Sequence, residues 1–207
     1  MPFTRDTRTA IERGLLGFRI PGPVKAPPEK NWQALATGDA DALAARIGPN
    51  DNVGLTFPRD LFALDFDTAE ALLQLDVEGG DLPPTLEFVT ARGLPHLIYR
   101  LPPDHPGVSN SVGKVALKTD VRTLGGYIAG PGSRTTAGEY RIRRDLPIAE
   151  APAWLVARLE TAVPISLQKG SAIPDADAAT VERAAQWLTT RPGAVEGQGG
   201  DAFTFQI

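Results

Sequence analysis

The sequence predicts an α+β fold: mixed or antiparallel sheets with flanking helices, followed by a short helical segment. Three observations predict it. Apolar runs of strand length recur between glycine- and proline-rich breaks. Helical patterns are interspersed among them without a regular βαβ alternation, which argues against a doubly wound sheet. Within Leu61-Phe62-Ala63-Leu64-Asp65-Phe66-Asp67 the side chains sort by alternation, placing Phe62, Leu64 and Phe66 on one face and Asp65 and Asp67 together on the other.

The elements follow in order. Residues 4–16 read as a helix, capped by Thr4 or Asp6 and stopped at Gly17. Phe18–Ile20 is a short strand, and Pro21-Gly22-Pro23 turns the chain into a basic loop from Lys25 to Lys30 that ends at Trp32. Asp39–Ile47 is helical up to Gly48-Pro49. Val53–Thr56 and Leu61–Asp67 read as neighbouring strands, and Thr68–Glu78 as a helix closed by Gly79-Gly80. Glu87–Thr90 and Leu97–Leu101 are strands joined by a short loop containing Gly93. Val115–Arg122 alternates as one strand, with Val115, Leu117, Thr119 and Val121 opposite Ala116, Lys118, Asp120 and Arg122. Gly126–Ala129 and Glu139–Arg143 are further strands around the loop Gly130-Pro131-Gly132-Ser133. Pro152–Ala162 is a helix with proline in its first turn. Residues 164–176 read as a linker, and Asp177–Thr190 as a second helical pattern broken by Arg191-Pro192-Gly193.

Composition narrows the function classes. At 207 residues and 42% hydrophobic, the chain can bury a full core and form one large or two smaller domains. No apolar stretch is long enough to span a membrane, and Arg5, Arg8 and Arg13 precede no signal-peptide core. With no cysteine there is no disulfide framework and no thiolate metal site. A cytoplasmic location is expected. The net charge of −4 argues against an indiscriminate nucleic-acid coat. Locally the balance differs: Lys114, Lys118, Arg122, Arg134, Arg141, Arg143 and Arg144 face only Asp120 and Glu139, an excess able to track phosphates.

The chemistry centres on the acids. Two carboxylates sharing the end of a buried strand repel each other and are costly to desolvate. A divalent cation relieves that cost, and the hard oxygen donors suit Mg²⁺ or Mn²⁺. Downstream, Thr90-Ala91-Arg92-Gly93-Leu94-Pro95-His96 is a strand, a tight loop and a histidine opening the return strand. The imidazole can donate to a phosphate oxygen, with Thr90 or Arg92 helping from the loop. Asp120 offers a third carboxylate between Lys118 and Arg122. Acids of this kind holding two divalent ions activate a 3′-hydroxyl and neutralise departing pyrophosphate. The glycine run from Gly125 to Gly132 is not a P-loop, because no Gly-Lys-Ser/Thr closes it.

Six segments then occur together in order: Asn52-Val53-Gly54, Leu64-Asp65-Phe66-Asp67, Leu82-Pro83-Pro84-Thr85, Arg92 to Tyr99, Asp120-Val121-Arg122 and Gly125 to Ser133. On these the chain resembles the bifunctional primase–polymerase (Prim-Pol) domain of the archaeo-eukaryotic primase superfamily, found in phage and plasmid replication proteins. The resemblance spans about residues 11–160, and Lys25, Lys30 and Trp32 fall where that family has a basic stretch followed by tryptophan. It implies that Asp65, Asp67 and Asp120 are the catalytic and metal-binding carboxylates for two Mg²⁺ or Mn²⁺ ions. His96 would contact the nucleotide's phosphates, with Thr90, Arg92, Lys118 and Arg122 as nucleotide-binding neighbours. It also implies a single-stranded DNA template, a primer and NTP or dNTP substrates. Residues 1–163 would be the catalytic domain. Gly197-Gln198-Gly199-Gly200 resembles the start of a helical module over 177–207, cut short here, that precedes a helicase in the full-length polypeptide.

Two rivals are weighed against this. Asp65-Phe66-Asp67-Thr68 also fits the nucleophile motif of haloacid-dehalogenase-type phosphatases, with Asp65 phosphorylated. That motif continues with glycine and requires a Rossmannoid sheet and a later acidic pair; Thr68-Ala69-Glu70 lacks the glycine, and no Asp-Asp dipeptide occurs. The other rival is a catalytically inactive DNA-binding module of a replication initiator.

Overall fold

The computed structural model describes residues 3–22 and 28–161. The linker and C-terminal helical segment expected from the sequence, and Lys25, lie outside these residues.

The first helix, α1 (Arg5–Glu12), begins at Thr4, whose hydroxyl accepts from the Thr7 N–H at 3.3 Å while the Thr7 hydroxyl accepts from the Thr4 N–H at 3.1 Å. This reciprocal cap satisfies two donors that the first turn leaves open. The helix stops well before Gly17. Gly14, at φ +103°, takes the left-handed conformation that ends it, and strand β1 (Leu16–Ile20) starts almost at once. Gly17 serves packing instead, since a Cβ there would lie 2.3 Å from Leu43.

Two short helices follow, α2 (Trp32–Leu35) and α3 (Ala40–Ala44), the second capped by the Asp39 carboxylate on the N–H groups of Asp41 and Ala42. Then come β2 (Asn52–Thr56), β3 (Leu61–Phe66), α4 (Ala69–Gly79), β4 (Glu87–Val89) and β5 (Pro95–Arg100). β2 and β3 are consecutive in the chain but belong to different sheets, with Phe57 to Asp60 carrying the chain from one to the other. The predicted single strand 115–122 is a hairpin of β6 (Ser111–Ala116) and β7 (Thr119–Arg122). Its tight turn holds Lys118 at φ +60° and leaves Leu117 69% exposed. Period-two alternation runs unbroken through these turn residues, which hides the reversal from the sequence. β8 (Ile128–Ala129), β9 (Arg134–Thr135), β10 (Gly138–Glu139), β11 (Arg141–Arg144), β12 (Ala149–Glu150) and α5 (Ala153–Thr161) complete the described elements.

Among the described residues the small sheet has the order β1-β2-β8 and the large one β11-β4-β5-β3-β7-β6, with β12 pairing in parallel with β5. Every other pairing is antiparallel. The α+β class expected from the sequence is the one observed. Among the described residues no Rossmannoid sheet is present: β3, carrying Asp65, lies antiparallel between β5 and β7, which removes the phosphatase reading.

Both faces of the large sheet are buried around β3. Phe62, Leu64 and Phe66 join Leu97, Tyr99 and Val121 in a core closed by Leu75 of α4 and by Leu155 and Leu159 of α5. Leu61 and Ala63, on the opposite face, join Phe88 and Ile98, then Ile11 of α1, Leu43 of α3, and Val53 and Leu55 of β2. Burial on this scale supplies the main stabilisation, at about 25 cal/mol per Å² of apolar surface. The row Leu61, Ala63, Asp65, Asp67 therefore leaves a packed core and becomes acidic within two residues.

Candidate active site

Strand register builds the site. Asp65 lies directly opposite His96 on β5 and directly opposite Asp120 on β7. Facing residues of antiparallel strands project to the same side, so all three share the face that also carries Asp67. That face opens into a cleft of about 1120 Å³ bordered by Asp65, Asp67, Thr90, Arg92, His96 and Arg122, and further by Trp32, Tyr127 and Tyr140. Helix α4 follows directly on the acids, and tight packing of β3 on both sides fixes their backbone.

The buried His96 aims Nε2 at Asp65 Oδ1, 2.9 Å away. Its other nitrogen, Nδ1, is buried without a hydrogen-bond partner among the described residues. Burial raises the Asp65 pKa, but the His96 hydrogen bond, with the charges of His96 and Arg122, outweighs it and holds the carboxyl below its ordinary range. Asp120 goes the other way. Burial dominates and pushes it up, Arg122 opposes, and the negative charges of Asp67 and Asp65 push it further up. Asp120 accepts from Arg122 Nη2 at 2.6 Å and from the Gly113 N–H at 3.3 Å. It does not itself border the cleft, whereas Arg122 does.

The other predicted residues divide. Arg92 is exposed on the loop after β4, borders the cleft and has no ion pair among the described residues. The Thr90 hydroxyl is used by the loop itself, accepting from the Leu94 N–H at 3.1 Å, and Gly93 at φ +83° makes that turn possible. Lys118 sits in the β6–β7 turn and does not border the cleft; its carbonyl accepts from the Asp67 N–H at 3.0 Å. The resemblance implied a place for Lys118 beside a nucleotide; the hairpin turn sets it apart from the residues that border the cleft.

Three aromatic residues border the site that no chemical argument from sequence singled out. Tyr140 stands with its ring centroid 6.1 Å from that of His96, and burial, with the Asp65 charge, raises its hydroxyl pKa against the pull of Arg92. Trp32 and Tyr127 lie 5.3 Å apart, both packed on Phe18. Nothing in the local sequence around Tyr140 marks it, since its approach depends on the loop pairing Gly132 N–H with the Tyr140 carbonyl.

As to a metal, the donor chemistry fits: the carboxylates of Asp65 on β3, Asp67 just after it and Asp120 on the adjacent β7 are hard oxygen donors. Among the described residues, however, no three acidic or imidazole groups stand close enough together to hold an ion. His96 holds one oxygen of Asp65, and Arg122 and the Gly113 amide hold both oxygens of Asp120.

Comparison with curated proteins finds no match. Comparison with protein-family models does: the family described as "Bifunctional DNA primase/polymerase, N-terminal" (Prim-Pol) matches residues 7–154, a span that contains every acid, imidazole and guanidinium of the cleft named above. By that match, which covers well over half of its length, the chain belongs to the Prim-Pol family of DNA primase/polymerases.

Proposed function

We propose that this chain transfers nucleotides onto DNA under template direction, making primers, extending them, or both, with Asp65, Asp67 and Asp120 as ligands of two divalent ions. The observation that carries this reading is the facing of Asp65 and Asp120 across β3 and β7, at a cleft bordered by Arg92 and Arg122. Mg²⁺ or Mn²⁺, when bound, would supply Lewis-acid stabilisation of the triphosphate and a lowered pKa for the attacking 3′-hydroxyl.

The chain's own groups would do the rest. Arg122 would turn from Asp120 to the triphosphate, freeing the carboxylate, and Arg92 would balance phosphate charge from the loop. His96 would hold Asp65 ionised and oriented from behind, and would reach a phosphate only by giving up that bond. Thr90 would fix the loop that presents Arg92. Partners on this reading are a single-stranded template, a primer and NTPs or dNTPs. The catalytic domain would be residues 1–163, with 164–176 as a linker and 177–207 as part of a helical module, within a phage or plasmid replicase acting in the cytoplasm beside a helicase.

Extension of a primed oligonucleotide with Mg²⁺ or Mn²⁺ tests the proposal. Asp65→Ala or Asp120→Ala should lower incorporation at least about 100-fold while leaving DNA binding in place. Tight DNA binding by the natural chain with no incorporation under either metal would favour the inactive DNA-binding module.

A further inference from the structure

The small sheet carries a feature that phosphate and metal chemistry leave unused. On its face away from Val53 and Leu55, Phe18 of β1 lies opposite Gly54 of β2, so close that a Cβ on Gly54 would stand 2.1 Å from the ring. Phe18 is wholly buried, and Trp32 and Tyr127 cover it. The Trp32 centroid is 4.4 Å from Phe18 at a tilt of 31°, and Tyr127 meets both rings edge-on at 5.4 and 5.3 Å. Unlike Phe18, Trp32 and Tyr127 are only part-buried, and both border the cleft that holds Asp65 and Arg122.

A tryptophan that merely filled space would bury its rings and pair its indole N–H. Trp32 does neither. Helix α2 contributes no buried residue, and the Trp32 indole N–H and Tyr127 hydroxyl have no hydrogen-bond partner among the described residues. At about 1120 Å³ the cleft is at the upper end of ligand pockets, which run to roughly 1,000 Å³. It thus joins an acidic and basic part suited to triphosphate with an apolar aromatic part bearing two unclaimed donors.

We propose that Trp32, buttressed by Phe18 and flanked by Tyr127, is a stacking subsite for a nucleobase, presented either by the incoming nucleotide or by single-stranded DNA. The subsite rests on the nucleotidyl-transfer reading for its ligand class. Stacking on a π-face is tolerant of base identity, so the contact would serve affinity and orientation without selecting sequence.

Tryptophan quenching of the natural chain, with calorimetric Kd values for it and for Trp32→Leu and Trp32→Phe, tests it, titrating dTTP, oligo-dT, an abasic oligonucleotide and tripolyphosphate. Thermal melts and primer extension would be run on the same samples. The natural chain should be quenched by base-bearing ligands and not by tripolyphosphate or the abasic strand. Trp32→Leu should weaken the Kd of whichever base-bearing ligand uses the site by about 5- to 100-fold, with Trp32→Phe recovering most of it. An effect on dTTP alone assigns the site to the incoming nucleotide, and one on oligo-dT alone assigns it to the strand. Equal Kd values for the natural chain and a folded Trp32→Leu with both dTTP and oligo-dT overturn the subsite. If extension proceeds in that case, nucleotidyl transfer stands without it. Base-dependent quenching with no incorporation under either metal overturns nucleotidyl transfer and leaves the subsite standing. If Trp32→Leu fails to melt cooperatively, Trp32→Phe decides: a base-dependent Kd matching the natural chain supports stacking, and a Kd indifferent to the base overturns it.

Discussion

Burial pushes the Asp120 carboxyl above its usual range, against the pull of Arg122 and with the help of the charges on Asp67 and Asp65. A raised folded-state pKa means the ionised carboxylate opposes folding above that pKa, and the penalty fades as pH falls through it. Asp65 has the opposite sign. Its depressed pKa adds stability above the unfolded value, lost as pH falls through the folded one. Asp120→Asn should therefore remove a penalty at neutral pH while keeping an acceptor for the Gly113 amide. We expect a rise in Tm of about 2–4 °C, the shift that ~1 kcal/mol gives in a chain of this size, together with loss of incorporation. A lower Tm for this variant at pH 7 would mean that the Arg122 ion pair outweighs burial. At this scale the carboxylates were legible in sequence because alternation puts Asp65 and Asp67 beside each other against an apolar opposite face. The mutual capture of Asp120 and Arg122 was not, since it depends on the hairpin bringing Gly113 to the same carboxylate.

The elements show where pattern and topology part company. β3 could be read directly, because an apolar run of strand length that turns acidic at one end has few alternatives. The β6–β7 hairpin could not, because Leu117-Lys118 is not turn chemistry and keeps the alternation intact. Lys118 consequently takes a left-handed conformation that glycine adopts without cost. Lys118→Gly should stabilise the chain by about 0.5–1 kcal/mol in denaturant unfolding and leave the nucleotide KM unchanged. A several-fold rise in KM would restore Lys118 to the nucleotide site. Likewise the end of α1 was misplaced at Gly17 because both glycines punctuate the sequence. Only the backbone distinguishes Gly14, which turns, from Gly17, which makes room.

At the scale of the whole molecule, net charge and local charge point in opposite directions. The chain carries −4 overall, yet Arg92, Arg122 and Arg134 border one cleft. Among the described residues no helix is long and apolar enough to cross a membrane. Binding to a primed single strand should weaken steeply with salt, because each phosphate contact releases counterions. Arg134→Ala should reduce the slope of log K against log salt by about 0.7, the value for one single-strand contact. An unchanged slope would remove Arg134 from the strand's path. The sorting of β2 and β3 into separate sheets belongs to this scale too. Adjacent strands in a chain usually pair, and nothing in Phe57-Pro58-Arg59-Asp60 announces that these two do not.

The empty place at Gly54 has an evolutionary consequence. No side chain can be accepted there while an aromatic ring occupies position 18, so the two positions form one unit of inheritance. Among homologous sequences they should covary: an alanine or larger residue at 54 should be accompanied by a small residue at 18, and by loss of the tryptophan at 32 that rests on that ring.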